Sequence, residues 1–131
     1  MEDGPKVDHA SAGAIKCWGR RQAIAAMCVM GHHGGLTNLG GRDDLADADS
    51  FYGRMNRYKG VKKYVYDAWS REVELPSVGI PSVEWKHTAF YTRMLYSCLV
   101  DADFLDTAAF MGEPRDHVAA KWDELNHRLD A

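Results

Sequence analysis

Apolar positions recur at helical spacing along nearly the whole chain, and no alternating, strand-like run of comparable length interrupts them. Asp8 suits an N-cap, which predicts a helix from His9 to about Trp18 with Gly19 as a break. From Arg20 to His33, the residues Ala23, Ile24, Met27, Cys28 and Met30 form a second helical series, ended by Gly34 and Gly35. Leu36 to Asp47 is rich in Gly, Asn and Asp and reads as a loop. A short helix is expected from Asp49 to about Tyr58, with Phe51, Tyr52 and Met55 as its apolar side. Gly60 separates it from another helix, Val61 to about Val73. Pro76, Gly79 and Pro81 make Glu74 to Ser82 a loop. A long helix then opens at Val83 or Glu84 and runs to about Met111, and Pro114 suits the first turn of a last helix reaching about Leu129. The expected fold class is all-α, with residues 1–131 as one domain, since no repeat, low-complexity segment or composition break divides them.

The long helix carries acids in an otherwise apolar segment. At about 100° per residue, Leu95, Cys98, Ala102, Leu105 and Ala109 share a face, which is expected to be buried. Asp103 and Asp106 lie on one flank of it, and Asp101 on the other, roughly 200° from Asp103. One ion is therefore expected to take one of Asp101 and Asp103, leaving the other as a capping or salt-bridging acid. The same spacing also suits three acids that only edge a buried stripe. Acids in apolar surroundings are costly unless something positive compensates them. His32 and His33 end the second apolar series. Neighbouring helical residues point about 100° apart, so the two converge on one site only where the backbone loosens at a helix end. Otherwise they are a cap histidine beside a buried one. Imidazole and carboxylate together suit a divalent metal. His87, His117 and His127 fall on solvated faces, and His9 by itself carries no signal.

Composition narrows the picture. The chain has 131 residues, 46% hydrophobic and 27% charged, long enough for a core of its own. Its net charge of −3 gives no overall basic field for nucleic acid. A local cluster, Arg54, Arg57, Lys59, Lys62 and Lys63, is interleaved with Tyr58 and Tyr64. It reads either as a nucleic-acid strip or as a solvated helix face. The cysteines, Cys17, Cys28 and Cys98, are odd in number and lack zinc-site spacing. They read as buried free thiols in a reducing, cytoplasmic compartment. Met1 to Pro5 is acidic with no apolar stretch behind it, so no signal peptide is expected. No membrane-spanning segment is expected either.

Three blocks then stand out in order: Val7-Asp8-His9-Ala10-Ser11-Ala12-Gly13-Ala14, Gly31-His32-His33-Gly34-Gly35-Leu36, and Arg93 through Thr107 with Asp101-Ala102-Asp103 inside it. Together they resemble the HD-type nuclease domain of the CRISPR-associated type I nuclease–helicase. The resemblance implies an all-helical HD fold that holds transition-metal ions and cleaves single-stranded DNA in antiviral defence. The family's site uses an early His, a His-Asp doublet with a nearby Lys, a third His, a His-His pair and a late Asp. On that resemblance His9 matches the third His, His32 and His33 match the pair, and Asp103 matches the late Asp, with Asp101 as the runner-up.

The chain also departs from that pattern. It contains no His-Asp doublet, and the early His, the Lys after the doublet and a helicase segment have no counterpart. The expectation is the C-terminal part of an HD domain, a partial HD helical bundle. It would hold one divalent ion (Mn, Ni, Fe or Zn) rather than two, and be weakly active or inactive alone. Three alternatives follow. The chain is a non-catalytic remnant; it pairs with a chain carrying the missing half, with a CRISPR effector complex or with itself; or it is an HD phosphohydrolase of small nucleotides. Pairing would use an exposed apolar face, for which Met27, Met30, Met94, Trp18, Phe90 and Tyr91 are candidates, though ordinary core positions are the common meaning of such residues.

Overall fold

In the computed structural model, residues 8–58 and 82–113 are described. Among them the chain is all-α: α1 (His9–Gly19), α2 (Ala23–Gly31), α3 (Phe51–Tyr58), a 3-10 turn (Trp85–His87) and α4 (Thr88–Phe110). The chain divides into two compact units, Met1–Asp101 and Ala102–Ala131.

In the first unit, α1 and α2 form a tight hairpin. Asp8 caps α1 as its sequence position predicts: its carboxylate accepts from the Ser11 N–H at 3.0 Å and from the Ser11 hydroxyl at 2.7 Å. The chain leaves α1 at Gly19, where the sequence predicts a break. It turns two residues later, where Arg21 takes a left-handed φ of 61°. The Gln22 N–H reaches the Cys17 carbonyl at 3.0 Å and the Arg21 N–H reaches Trp18 at 2.9 Å, the paired bonds of a Schellman turn. Arginine therefore occupies the position that glycine usually fills.

α2, Ala-Ile-Ala-Ala-Met-Cys-Val-Met-Gly, is apolar all round, as a helix covered on several sides should be. Small residues let it approach α1 closely. Ala14 and Ala26 are fully buried, and Met30 and Phe51 complete the core, with Cys17, Met27, Tyr52 and Met55 packed around it. Trp18 covers the edge of this core, its ring 5.5 Å from Phe51 and 5.8 Å from Tyr52.

The segment between α2 and α3 is a loop, but a well-bonded one. The Phe51 N–H donates to Asn38 at 2.8 Å, and Asn56 Nδ2 donates to the Arg42 and Asp44 carbonyls at 3.1 and 2.9 Å. Ser50 caps α3 by accepting from the Gly53 N–H at 3.0 Å, while its own hydroxyl donates to Asp44.

α4 meets α2 near its own N-terminal half. The Cys28 thiol points at the Thr92 carbonyl at 3.5 Å, and the Tyr96 hydroxyl donates to the Gly31 carbonyl at 3.3 Å. Thr92 is the buried residue of this helix. The buried stripe expected along α4 is not found. Cys98 is exposed and Leu95 half-buried in the first unit, and Ala102 and Ala109 are exposed in the second. Helical period fixes which residues share a face, but burial needs an element opposite it. Phe90 and Met94 are likewise 68% and 49% exposed. Asp101, Asp103 and Asp106 stand in water, so no desolvation cost attaches to them. In the second unit α4 ends in a Schellman turn at Gly112, φ 79°, with the Glu113 N–H bonded to Ala108 at 2.9 Å.

The helices expected over Val61–Val73 and Pro114–Leu129 lie outside the described residues. No described helix is long and apolar enough to cross a membrane.

Candidate metal centre

The hairpin places His9, the first residue of α1, beside the turn that follows α2. His9 Nε2 stands 3.3 Å from His32 Nε2 and 2.7 Å from His33 Nε2. One ring nitrogen from each of the three lies within 4.8 Å of the others, and among the described His, Cys, Asp and Glu residues this is the group able to surround an ion. The adjacent histidines converge because they sit where α2 unwinds. His32 keeps helical angles, φ −60° and ψ −24°, as the C-cap. Gly35, at φ 92°, then reverses the chain, and its N–H bonds the Gly31 carbonyl at 2.7 Å. The imidazoles of His32 and His33 end up 3.8 Å apart, centroid to centroid, and tilted by 40°. A regular helix would splay the two side chains by about 100°.

One of the three rings has its tautomer set. His32 Nδ1 lies 2.6 Å from the Val29 carbonyl oxygen. A carbonyl only accepts, so Nδ1 carries the proton and the Nε2 lone pair of the neutral ring faces the cluster. Around a four-coordinate ion with bonds near 2.0–2.1 Å, neighbouring nitrogens stand roughly 3.3 Å apart. The 3.3 Å contact matches this spacing and the 2.7 Å contact is shorter. Three imidazoles with no carboxylate suit Zn²⁺, Ni²⁺ or Fe²⁺ better than Mg²⁺ or Ca²⁺. His9 and His33 are exposed and His32 half-buried, which leaves the outer side of the cluster open to solvent and to an incoming ligand.

Asp8 sits immediately before His9. Burial alone would raise its carboxyl pKa. The bonds from the Ser11 N–H and hydroxyl and the Tyr58 hydroxyl, with the charge of the neighbouring His9, outweigh that and hold it below the ordinary value. The residue that starts α1, and so fixes where His9 points, is thus an ionised carboxylate.

Asp101 stands outside the histidine group, and Asp103 belongs to the second unit; both are exposed. Arg54 and Arg57 are committed to their own loop. Arg54 pairs with Asp49 at 2.7 Å, and Arg57 Nε donates to the Ala46 carbonyl at 2.8 Å. Lys59, Lys62 and Lys63 lie outside the described residues. Two groups at the site carry no sequence signal: the Val29 carbonyl that orients His32, and Tyr96, whose hydroxyl reaches the turn from 65 positions away. A backbone acceptor and a long-range tether leave no pattern in residue types.

Comparison with models of known protein families, with curated proteins and with solved structures finds no match for this chain.

Proposed function

We propose that this chain binds one divalent transition-metal ion through His9, His32 and His33 and is the metal-bearing part of an HD-type nuclease acting on single-stranded DNA. The observation that carries the reading is the convergence of three ring nitrogens within 4.8 Å at an exposed hairpin end. A bound ion there supplies Lewis-acid chemistry, polarising a phosphate oxygen and acidifying a water. The chain's own part is to hold the three imidazoles in place and leave the outer side open. His32 is aimed by the Val29 carbonyl, and His9 is fixed by the Asp8 cap. No carboxylate of the described residues joins the group, so a bridging acid of the kind that supports a second ion is absent from it.

A second reading is favoured by α4. Phe90 and Met94 lie exposed on it, which suits pairing with a chain that carries the missing His-Asp half.

The test is metal content and cleavage on the purified full chain. The expected result is one Zn²⁺ or Ni²⁺ per chain, lost in His9→Ala, with slow, metal-dependent cutting of single-stranded DNA that His9→Ala abolishes. A chain that retains no metal, or equal retention in His9→Ala, refutes the site. Metal bound without any cutting refutes the nuclease reading of the isolated chain.

A further inference from the structure

We infer that Gly13 is a positioning residue for the histidine cluster: its missing side chain sets the α1–α2 separation at which His9 meets His32 and His33. The inference rests on the metal-binding reading of that cluster. Gly13 lies one turn after His9, on the same face of α1. A Cβ at this position would stand 2.8 Å from Val29 Cγ1. Carbon atoms pack at about 3.5–4.0 Å, so about 1 Å of space would have to be found.

Val29 does not yield that space cheaply. It is β-branched and helical, and such a side chain has one strongly preferred rotamer. The same residue's carbonyl accepts the His32 Nδ1–H at 2.6 Å. A methyl at 13 therefore leaves two ways to relieve the contact. If α1 moves away, His9 leaves its partners, which now lie 2.7 and 3.3 Å off. If α2 shifts at Val29, the acceptor that aims His32 shifts with it. Both routes open the cluster while leaving the helices themselves intact, since alanine is a better helix former than glycine. One side chain thus presses on α1 and one carbonyl on the same residue orients a ligand, which makes Gly13 and Val29 a coupled pair behind the site.

The test is a Co²⁺ titration, followed by visible absorption and by competition with Zn²⁺. It compares the full-length wild type with Gly13→Ala, Val29→Ala and the double variant, with helix content checked by circular dichroism. Gly13→Ala is expected to weaken Co²⁺ binding by about tenfold or more at unchanged helicity, as loss of an orienting contact does. Adding Val29→Ala should restore affinity to within about twofold of Val29→Ala alone. Wild-type affinity in Gly13→Ala, or a double variant as weak as Gly13→Ala, overturns the inference. Should Gly13→Ala not fold, the double variant decides: binding equal to Val29→Ala supports the inference, and binding about tenfold weaker overturns it. A wild type that binds no Co²⁺ refutes the metal reading itself, a result distinct from an unaffected Gly13→Ala.

Discussion

Replacing Asp8 with alanine removes more than a helix cap. The carboxylate accepts from the Ser11 backbone at 3.0 Å, and losing a cap of this kind costs about 1 kcal/mol. It also accepts from the Ser11 hydroxyl at 2.7 Å, and Ser11 is only 3% exposed. Without Asp8 that hydroxyl keeps only Met30 Sδ at 3.8 Å, a weak acceptor. A buried hydroxyl stripped of its partner costs about 1–3 kcal/mol. Asp8→Ala is therefore expected to destabilise the chain by about 2–4 kcal/mol, measured by urea unfolding at neutral pH. Asp8→Ala/Ser11→Ala, which removes the stranded hydroxyl as well, should recover about 1 kcal/mol of that loss. The pH dependence has a definite sign. The Asp8 pKa is lower in the folded chain than in the unfolded one. Its contribution is thus full above the ordinary carboxylate range near pH 4 and is lost as pH falls through the folded value. Asp8→Asn keeps a cap oxygen and should flatten that part of the acid dependence. Recovery below about 0.5 kcal/mol in the double variant would refute the reasoning, because Ser11 would then not depend on Asp8.

Two further outcomes are open to measurement. Arg21→Gly relieves a left-handed φ of 61° at the turn between α1 and α2 and should stabilise the chain by about 0.5–1 kcal/mol, read as a rise of a few degrees in Tm; an unchanged or lower Tm contradicts the Schellman assignment. A thiol reagent at mildly alkaline pH should modify Cys98, which is exposed, first and Cys28 last. Burial, together with Cys17 nearby, pushes the Cys28 thiol up to about 11, and labelling of Cys28 in step with Cys98 would contradict its burial.

The hairpin was largely legible from residue types. The Asp8 cap, the apolar series of α2 and the Gly34-Gly35 stop are local signals, and each bounds an element near where the structure has it. The meeting of His9 with His32 and His33 was legible only through the resemblance of three sequence blocks. Nothing in 100° geometry alone brings two adjacent histidines together. α1 ends at Gly19 as read, but α2 starts at Ala23 rather than Arg20, because the left-handed residue of the turn is Arg21, which no residue type advertises. The stripe on α4 was misjudged for another reason. Its spacing is helical as expected, yet Cys98, a member of the stripe expected as a buried thiol, is exposed. Period describes one helix, and burial describes two.

The histidine turn also has an order of assembly written into its contacts. His9 and His33 are 24 positions apart, while the Tyr96 hydroxyl that bonds the Gly31 carbonyl arrives from 65 positions downstream. On a ribosome adding about 5–20 residues per second, those 65 positions take roughly 3–13 s to synthesise. Helices and short loops close in microseconds or less. The three imidazoles can therefore meet by local chain closure before α4 is made, whereas the Tyr96 contact has to wait for α4.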